Sequence, residues 1–295
     1  MKDDLVQPFQ IDGLALRGRL VRLGPALDRI LSRHTLAAPV AGMLGEAVAV
    51  AAALAGALKY EGMFTLQTKG DGPIRMMVAD VSSKGALRGY VQTDETKLAA
   101  VEIGRQGPVP ALLGHGHLAF TVDQGEHSER YQGIVALEGA TLAQCVQQYF
   151  RRSEQVEAGI LVAAAETASG WRAGALMIQR LPPANENVRP AEDEAWHRAM
   201  VLMSSLTAEE LVDPALSREA LLYRLFHEDG VRVWPPGALV DSCRCSRARV
   251  EQVLRLLPRE DLADMMVEGR VTVKCEFCGV DYGFDGGEVQ GLMTA

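Results

Sequence analysis

Four of the five cysteines stand as two close pairs, Cys243-Arg-Cys245 and Cys275-Glu-Phe-Cys278, within 36 residues near the carboxyl end. Such thiolates are the soft ligand set that zinc takes in tetrahedral geometry, each sulfur about 2.3 Å from the metal. The spacing departs from the commonest zinc ribbon, because one residue separates the first pair and 29 residues separate the two pairs. In extended backbone Cys243 and Cys245 face the same way with α-carbons roughly 6.5 Å apart, near the upper limit for an unstrained disulfide. Metal suits that spacing better, and a disulfide formed there is readily reduced. Arg244, Arg247, Arg249 and Lys274 surround the pairs with positive charge, which favours thiolates. Cys145 stands alone and reads as a structural, buried residue.

These residues alone leave three functions open: a redox switch, a constitutive zinc-stapled interaction module, and a thiol–disulfide oxidoreductase working through Cys275 and Cys278. The last lacks a thioredoxin-like βαβ pattern around its Cys-x-x-Cys. A switch is physically attractive, since structural zinc contributes roughly 10–16 kcal/mol to a small domain and whole domains are stable by about 5–15. Losing the metal then unfolds the module and exposes apolar side chains in it and its neighbour. Trp196, Met200, Met203, Leu206, Leu221, Leu222, Leu225 and Phe226 are the candidates, although an amphipathic stripe is ordinarily core.

The elements that must position the thiols follow from patterning. Ser246 caps a helix over RARVEQVLRLL, Gly269 ends one over PREDLADMMVE, and RVTVK is a strand leading into CEFC. Upstream, Leu14, Leu16 and Leu20 alternate with Arg17 and Arg19 in a strand with one apolar and one charged face. A helix runs from Pro25 to about His34, and Pro39 opens an Ala-rich helix to Leu58. MFTLQTK, PIRMMVADV and ALRGYVQT, parted by GDG and SSKG, form an antiparallel meander. HLAFTVD pairs with RYQGIVAL across QGEHSE, GILVAAAE pairs with WRAGALMIQRL across TASG, and TLAQCVQQYFRR between them is a helix. Thr207 and Glu210 form a capping box, and Ser217 caps REALLYRLFHE, which Gly230 ends. PPANENVRPAEDE marks a boundary. The fold class is α+β: a mixed strand and helix domain over 1–181, a helical linker over 182–235 and a small zinc domain over 236–295.

Composition narrows the function further. The 295 residues carry 30 Lys+Arg against 38 Asp+Glu, and the stretch 241–295 carries seven against ten, so neither the chain nor its thiol module suits a phosphate backbone. The expectation is no nucleic-acid partner. The apolar run AVAVAAALAGAL is short of the roughly 20 residues that span a bilayer, and MKDDLVQPFQ is unlike a secretory signal, so a cytosolic protein without a membrane partner is expected. GDG lacks the Gly-Lys-Ser/Thr ending of a phosphate loop, and no serine-nucleophile elbow or zinc-protease helix occurs. The histidines of GHGH over 114–117 suit a turn entering a strand better than a metal site.

Taken together, CRCSRARV (243–250), CEFCGVDYGFD (275–285), LLYRLFHEDGVRVW (221–234), YQGIVALEG (131–139) and RRSEQ (151–155) resemble the redox-regulated bacterial holdase chaperones of the heat shock protein 33 family. The resemblance spans most of the chain. It departs at HTLAAPV after Arg33, where an aromatic beside proline is common, and at Trp234, where phenylalanine is frequent. It implies an ATP-independent chaperone, not an enzyme, kept inactive by one zinc ion on Cys243, Cys245, Cys275 and Cys278. It also implies activation by peroxide or hypochlorite together with mild unfolding: disulfides Cys243–Cys245 and Cys275–Cys278 form, zinc leaves, and a metastable linker opens. The oxidised chain then dimerises and binds unfolded client proteins. Cys145 has no counterpart among the ligand thiols.

Overall fold

The computed structural model describes residues 3–14, 16–125, 131–180 and 189–294, with side chains of 189–192 and 293–294 left aside. The chain divides into two compact units, Met1–Asp241 and Ser242–Ala295.

The larger unit is built on two six-stranded sheets. The first holds β1 (Leu5–Ile11), β2 (Leu16–Leu23), β8 (Ala158–Thr167), β9 (Gly170–Arg180), β10 (Val231–Val233) and β11 (Gly237–Ala238), in the order β10-β1-β2-β9-β8 with β11 also on β1. The second runs β12-β5-β4-β3-β6-β7, from β3 (Met63–Gly70), β4 (Ile74–Ser82), β5 (Ala86–Thr93), β6 (Gly116–Asp123), β7 (Tyr131–Ala136) and β12 (Val240–Asp241). The expected meander is β3, β4 and β5, and both expected strand pairs form, β6 with β7 and β8 with β9. The QGEHSE turn lies largely outside the described residues, as does most of the PPANENVRP boundary.

Helix α1 (Pro25–Ser32) leads into α2 (Ala38–Ala57), whose small side chains let both sheets approach it. A Cβ on Gly45 would stand 2.9 Å from that of Ala164, so close contact with β8 requires glycine there. By length and composition α2 could cross a bilayer, but 78% of its apolar window is buried in this core. Short helices α3 (Glu95–Leu98) and α4 (Pro108–Leu112) connect strands. The expected TLAQCVQQYFRR helix is shorter: α5 (Leu142–Tyr149) is capped by Thr141 and widens into a π-turn over Phe150–Glu154. Cys145 is fully buried in α5, as its apolar surroundings require.

Two expectations about the first strands change. Strand β1 was not visible in the sequence, where Pro8 and Gln7 interrupt the pattern. In β2 the charged face is not solvent-facing throughout: Arg19 donates to the Gly56 carbonyl at the end of α2, and Arg22 is 3% exposed. The apolar face of β1, β2, β8 and β9 is covered by α6 (Arg189–Ser204), α7 (Ala208–Val212) and α8 (Arg218–Phe226). Both predicted caps form, the Thr207–Glu210 capping box and the Ser217 cap.

In the smaller unit Ser246 caps α9 (Arg247–Leu254), as expected. Helix α10 (Arg259–Asp264) stops before Gly269, because Val267 and Arg270 bridge through Glu268 and Gly269, both at positive φ. Strand β13 (Arg270–Lys274) pairs with β14 (Asp281–Asp285), and α11 (Gly286–Thr294) closes the chain. Neither β14 nor α11 was anticipated from the glycine-rich YGFDGGEVQG. The core of this unit is Leu254, Leu262, Val271, Phe284 and Val289.

Candidate metal centre

The four cysteines come together from two structural sources. Cys243 and Cys245 lie in irregular backbone just before the Ser246 cap of α9, whereas Cys275 and Cys278 form the turn between β13 and β14. That turn is a tight knuckle: the Gly279 N–H donates to the Cys275 carbonyl at 2.8 Å, the Cys275 N–H to the Val280 carbonyl at 2.9 Å, and Gly279 has φ +71. The left-handed position suits glycine, since any Cβ there meets its own backbone. Arg247 ties the two sources together. Its guanidinium donates to the Gly283 carbonyl at 2.8 Å, pairs with Glu288 at 2.6 Å and lies 4.3 Å from the centre of the Phe284 ring.

All four Sγ atoms lie within 4.8 Å of one another, with Cys243 and Cys275 at 3.8 Å and Cys245 and Cys278 at 3.3 Å. Tetrahedral coordination with bonds of about 2.3 Å separates sulfurs by about 3.8 Å, so the set fits zinc in donor chemistry and in size. None of the four is in a disulfide, and all are half-buried. Among the described residues this is the one group of three or more His, Cys, Asp or Glu gathered closely enough to hold a metal ion. The GHGH histidines do not gather ligands: the His115 N–H donates to Asp71 at 2.7 Å, and His117 opens β6.

The sequence names the cluster but not every group that tunes it. Arg249 donates to the Arg244 carbonyl at 2.7 Å, and Arg247 is committed to its own carbonyl, carboxylate and ring partners. One side chain that does reach a sulfur is Tyr282, whose hydroxyl donates to Cys245 Sγ at 3.1 Å. Burial pushes the Cys245 thiol up, but Tyr282 and the three neighbouring thiols outweigh it and bring the pKa down to about 7. At Cys278 burial and the neighbouring thiols push the pKa up to about 12, against a lowering backbone contact with Val280. Of these two sulfurs, Cys245 is therefore the one that ionises first when no metal is bound. No feature of the sequence marks Tyr282, because its place opposite the first pair depends on the β13–β14 register, which sets Tyr282 beside Val273.

The candidate stripe residues sit as one buried layer. Phe226 stacks on Phe9 with ring centroids 6.1 Å apart, and Met203, Leu206, Leu221, Leu222 and Leu225 are buried with it, Trp196 and Met200 partly so. Glycines in the sheet make room. A Cβ on Gly18 would stand 2.1 Å from the Phe9 ring, one on Gly159 2.6 Å from Met200 Sδ, and one on Gly174 2.7 Å from Leu211 Cγ. Two buried guanidiniums hold the end of α7, Arg172 donating to the Val212 carbonyl at 2.7 Å and Arg22 to the Asp213 carbonyl.

The fold and site thus define an α+β protein with a four-thiol centre in a small carboxyl-terminal unit. Comparison with known proteins places it. The family model described as Hsp33 protein matches residues 4–285. A 33 kDa chaperonin of Caulobacter vibrioides is 42% identical over 96% of this chain and 95% of its own length. One from Ectopseudomonas mendocina is 36% identical over 99% of this chain and 96% of its own. The crystal structure of a 33 kDa chaperonin, a heat shock protein 33 homologue from Thermotoga maritima, shares the fold with a TM-score of 0.83 at 24% identity, covering 99% of this chain and 98% of that one. The chain belongs to the Hsp33 family of chaperones, and binding of client proteins is the activity that membership implies.

Proposed function

We propose that the chain is a cytoplasmic, redox-regulated, ATP-independent holdase, with Cys243, Cys245, Cys275 and Cys278 as zinc ligands in the reduced, inactive form. The observation that carries this reading is the meeting of four sulfurs in a unit with five fully buried apolar residues. A single core in a domain below about 70–80 residues rarely supplies more than about 3–5 kcal/mol, so the unit relies on a staple. Bound zinc holds the four sulfurs as thiolates and supplies that staple.

On oxidation Cys243 joins Cys245 and Cys275 joins Cys278. Each thiolate pair gives two electrons to one peroxide, which takes up two protons from solvent and leaves as two waters. Disulfide sulfur is no thiolate ligand, so oxidation dissolves the ligand set. The segment 182–235 is the metastable linker: α6 to α8 cover the apolar face of the first sheet, and their release presents that face and their own stripe to unfolded clients. The oxidised chain dimerises. No nucleic acid, membrane or catalytic turnover enters this reading. The Cys275–Cys278 turn is part of an antiparallel hairpin, which favours it over the oxidoreductase alternative.

Warm peroxide treatment, followed by zinc release, disulfide mapping and light scattering of an aggregating client, tests the proposal. Expected are loss of zinc, two disulfides and suppressed scattering. Unchanged scattering after confirmed oxidation overturns it. Metal retained without disulfides indicates a constitutive zinc module, and steady turnover of a dithiol substrate indicates an oxidoreductase.

A further inference from the structure

The larger unit carries a second feature, independent of the thiols. A cavity of about 380 Å³ lies at the carboxyl-terminal end of α2. Its volume is at the lower end of the roughly 300–1,000 Å³ typical of small-molecule sites. One wall is a continuous run of rings: Phe64 and Phe120 have centroids 6.2 Å apart, Phe120 and Tyr149 4.6 Å, and Tyr149 and Phe150 5.6 Å. Leu54 and Ala57 of α2 add aliphatic surface.

The polar groups of the lining are mainly donors. Gln179, 7% exposed, is also part of the lining. Beside it in register across β2 and β9 stands Arg17, an exposed cation without an ion pair among the described residues, and Lys59 lines the same opening. The nearby negative groups are already engaged. Glu154 accepts from the hydroxyls of Tyr131 and Tyr149, and Arg19 donates to the Gly56 carbonyl at the negative end of α2.

We propose that this cavity binds a small amphiphilic carboxylate, its acyl or aryl body against the ring wall and its head group taken by Arg17, Lys59 and the Gln179 amide. A body on the order of ten carbons suits a site of this size. The charge pattern separates this occupant from an apolar client side chain, which needs the rings but leaves the Gln179 amide and both cations without a role.

Calorimetric titration of the reduced, metal-loaded full chain with decanoate tests it, with decanol as the uncharged control. One saturable decanoate site is expected, with decanol bound roughly tenfold more weakly, the range of one or two charge-assisted hydrogen bonds. Arg17→Glu weakens decanoate binding by a similar factor and leaves decanol unchanged. Ala57→Phe fills the cavity and abolishes both. Gln179→Leu, which keeps the volume, weakens decanoate alone and serves if Ala57→Phe does not fold. Absence of a saturable site, equal binding of the two probes, or binding unaltered in Arg17→Glu and Gln179→Leu overturns the proposal. So does an aromatic-rich unfolded peptide that occupies the cavity and is not displaced by decanoate.

Discussion

Tyr282 and Cys245 show how one hydroxyl can set the chemistry of a sulfur cluster. The Tyr282 hydroxyl donates to Cys245 Sγ at 3.1 Å and favours the ionised form of that sulfur. Removing such an outer partner typically costs about 10–100-fold in metal affinity. Tyr282→Phe is therefore expected to lose zinc to a competing chromogenic chelator at least about tenfold more readily, with the fold unchanged by circular dichroism. Cys275→Ser removes one of the proposed ligands outright: it should retain metal poorly and show a blunted oxidative response, and full reversible oxidation in that variant would contradict the ligand assignment. At this scale the sequence was informative about identity and silent about environment. Two cysteine pairs are legible because few other arrangements of thiols serve a purpose. The roles of Arg247, which binds the hairpin and not the sulfurs, and of Tyr282 were not legible, since both depend on where a distant strand turns back.

At the scale of elements, α8 and α2 make separate predictions. The Phe226 ring is fully buried against Phe9, in a layer that glycines in β2, β8 and β9 were needed to admit. Phe226→Ala is expected to cost about 3–5 kcal/mol of packing. In the metastable linker proposed above that loss is enough to release it, so limited proteolysis within 189–226 and suppression of client aggregation should both appear without oxidant. Resistance to protease together with an inactive reduced protein would show that α8 is not what conceals the client surface. Helix α2 carries Glu46 in otherwise apolar surroundings, and burial pushes its pKa up to about 7 from 4.5. The folded state holds this proton more tightly than the unfolded chain, so stability is greatest below about pH 4.5, falls as pH rises through the window from 4.5 to 7, and is lowest above it. Glu46→Gln should raise the melting temperature at pH 8, by an amount corresponding to something on the order of 2 kcal/mol, and leave it nearly unchanged at pH 4.5. Equal effects at both values would mean that the side chain acts through packing and not charge. The Ala-rich run and both hydroxyl caps announced these helices. The length of α5 was overread, because a π-turn satisfies the last carbonyls where the apolar pattern alone suggested continuation.

For the molecule as a whole, the division at Asp241 and Ser242 separates a unit with two sheets from one with a hairpin and three helices. Their dependence on metal should differ accordingly. Chelation of the reduced full chain is expected to abolish hydrogen-exchange protection over β13, β14 and α9 while the strands β3 to β6 stay protected, because only the smaller unit lacks a core sufficient for its size. Uniform loss of protection, or none, would contradict a metal-stapled unit. The buried arginine pair at the end of α7 makes the packing of α7 partly polar as well as apolar, since Arg22 and Arg172 donate to the Asp213 and Val212 carbonyls.

What the amino-acid sequence determined was local and chemical: which residues can bind a soft metal, where helices begin, and which segments alternate as strands. These depend on neighbours a few residues apart. What tertiary structure decided was which distant partners complete each group, from Tyr282 at Cys245 to Phe9 beneath Phe226 and Gln179 in its ring-lined cavity. Register and sheet order settle those meetings, and a linear pattern carries no record of them until the strands have paired.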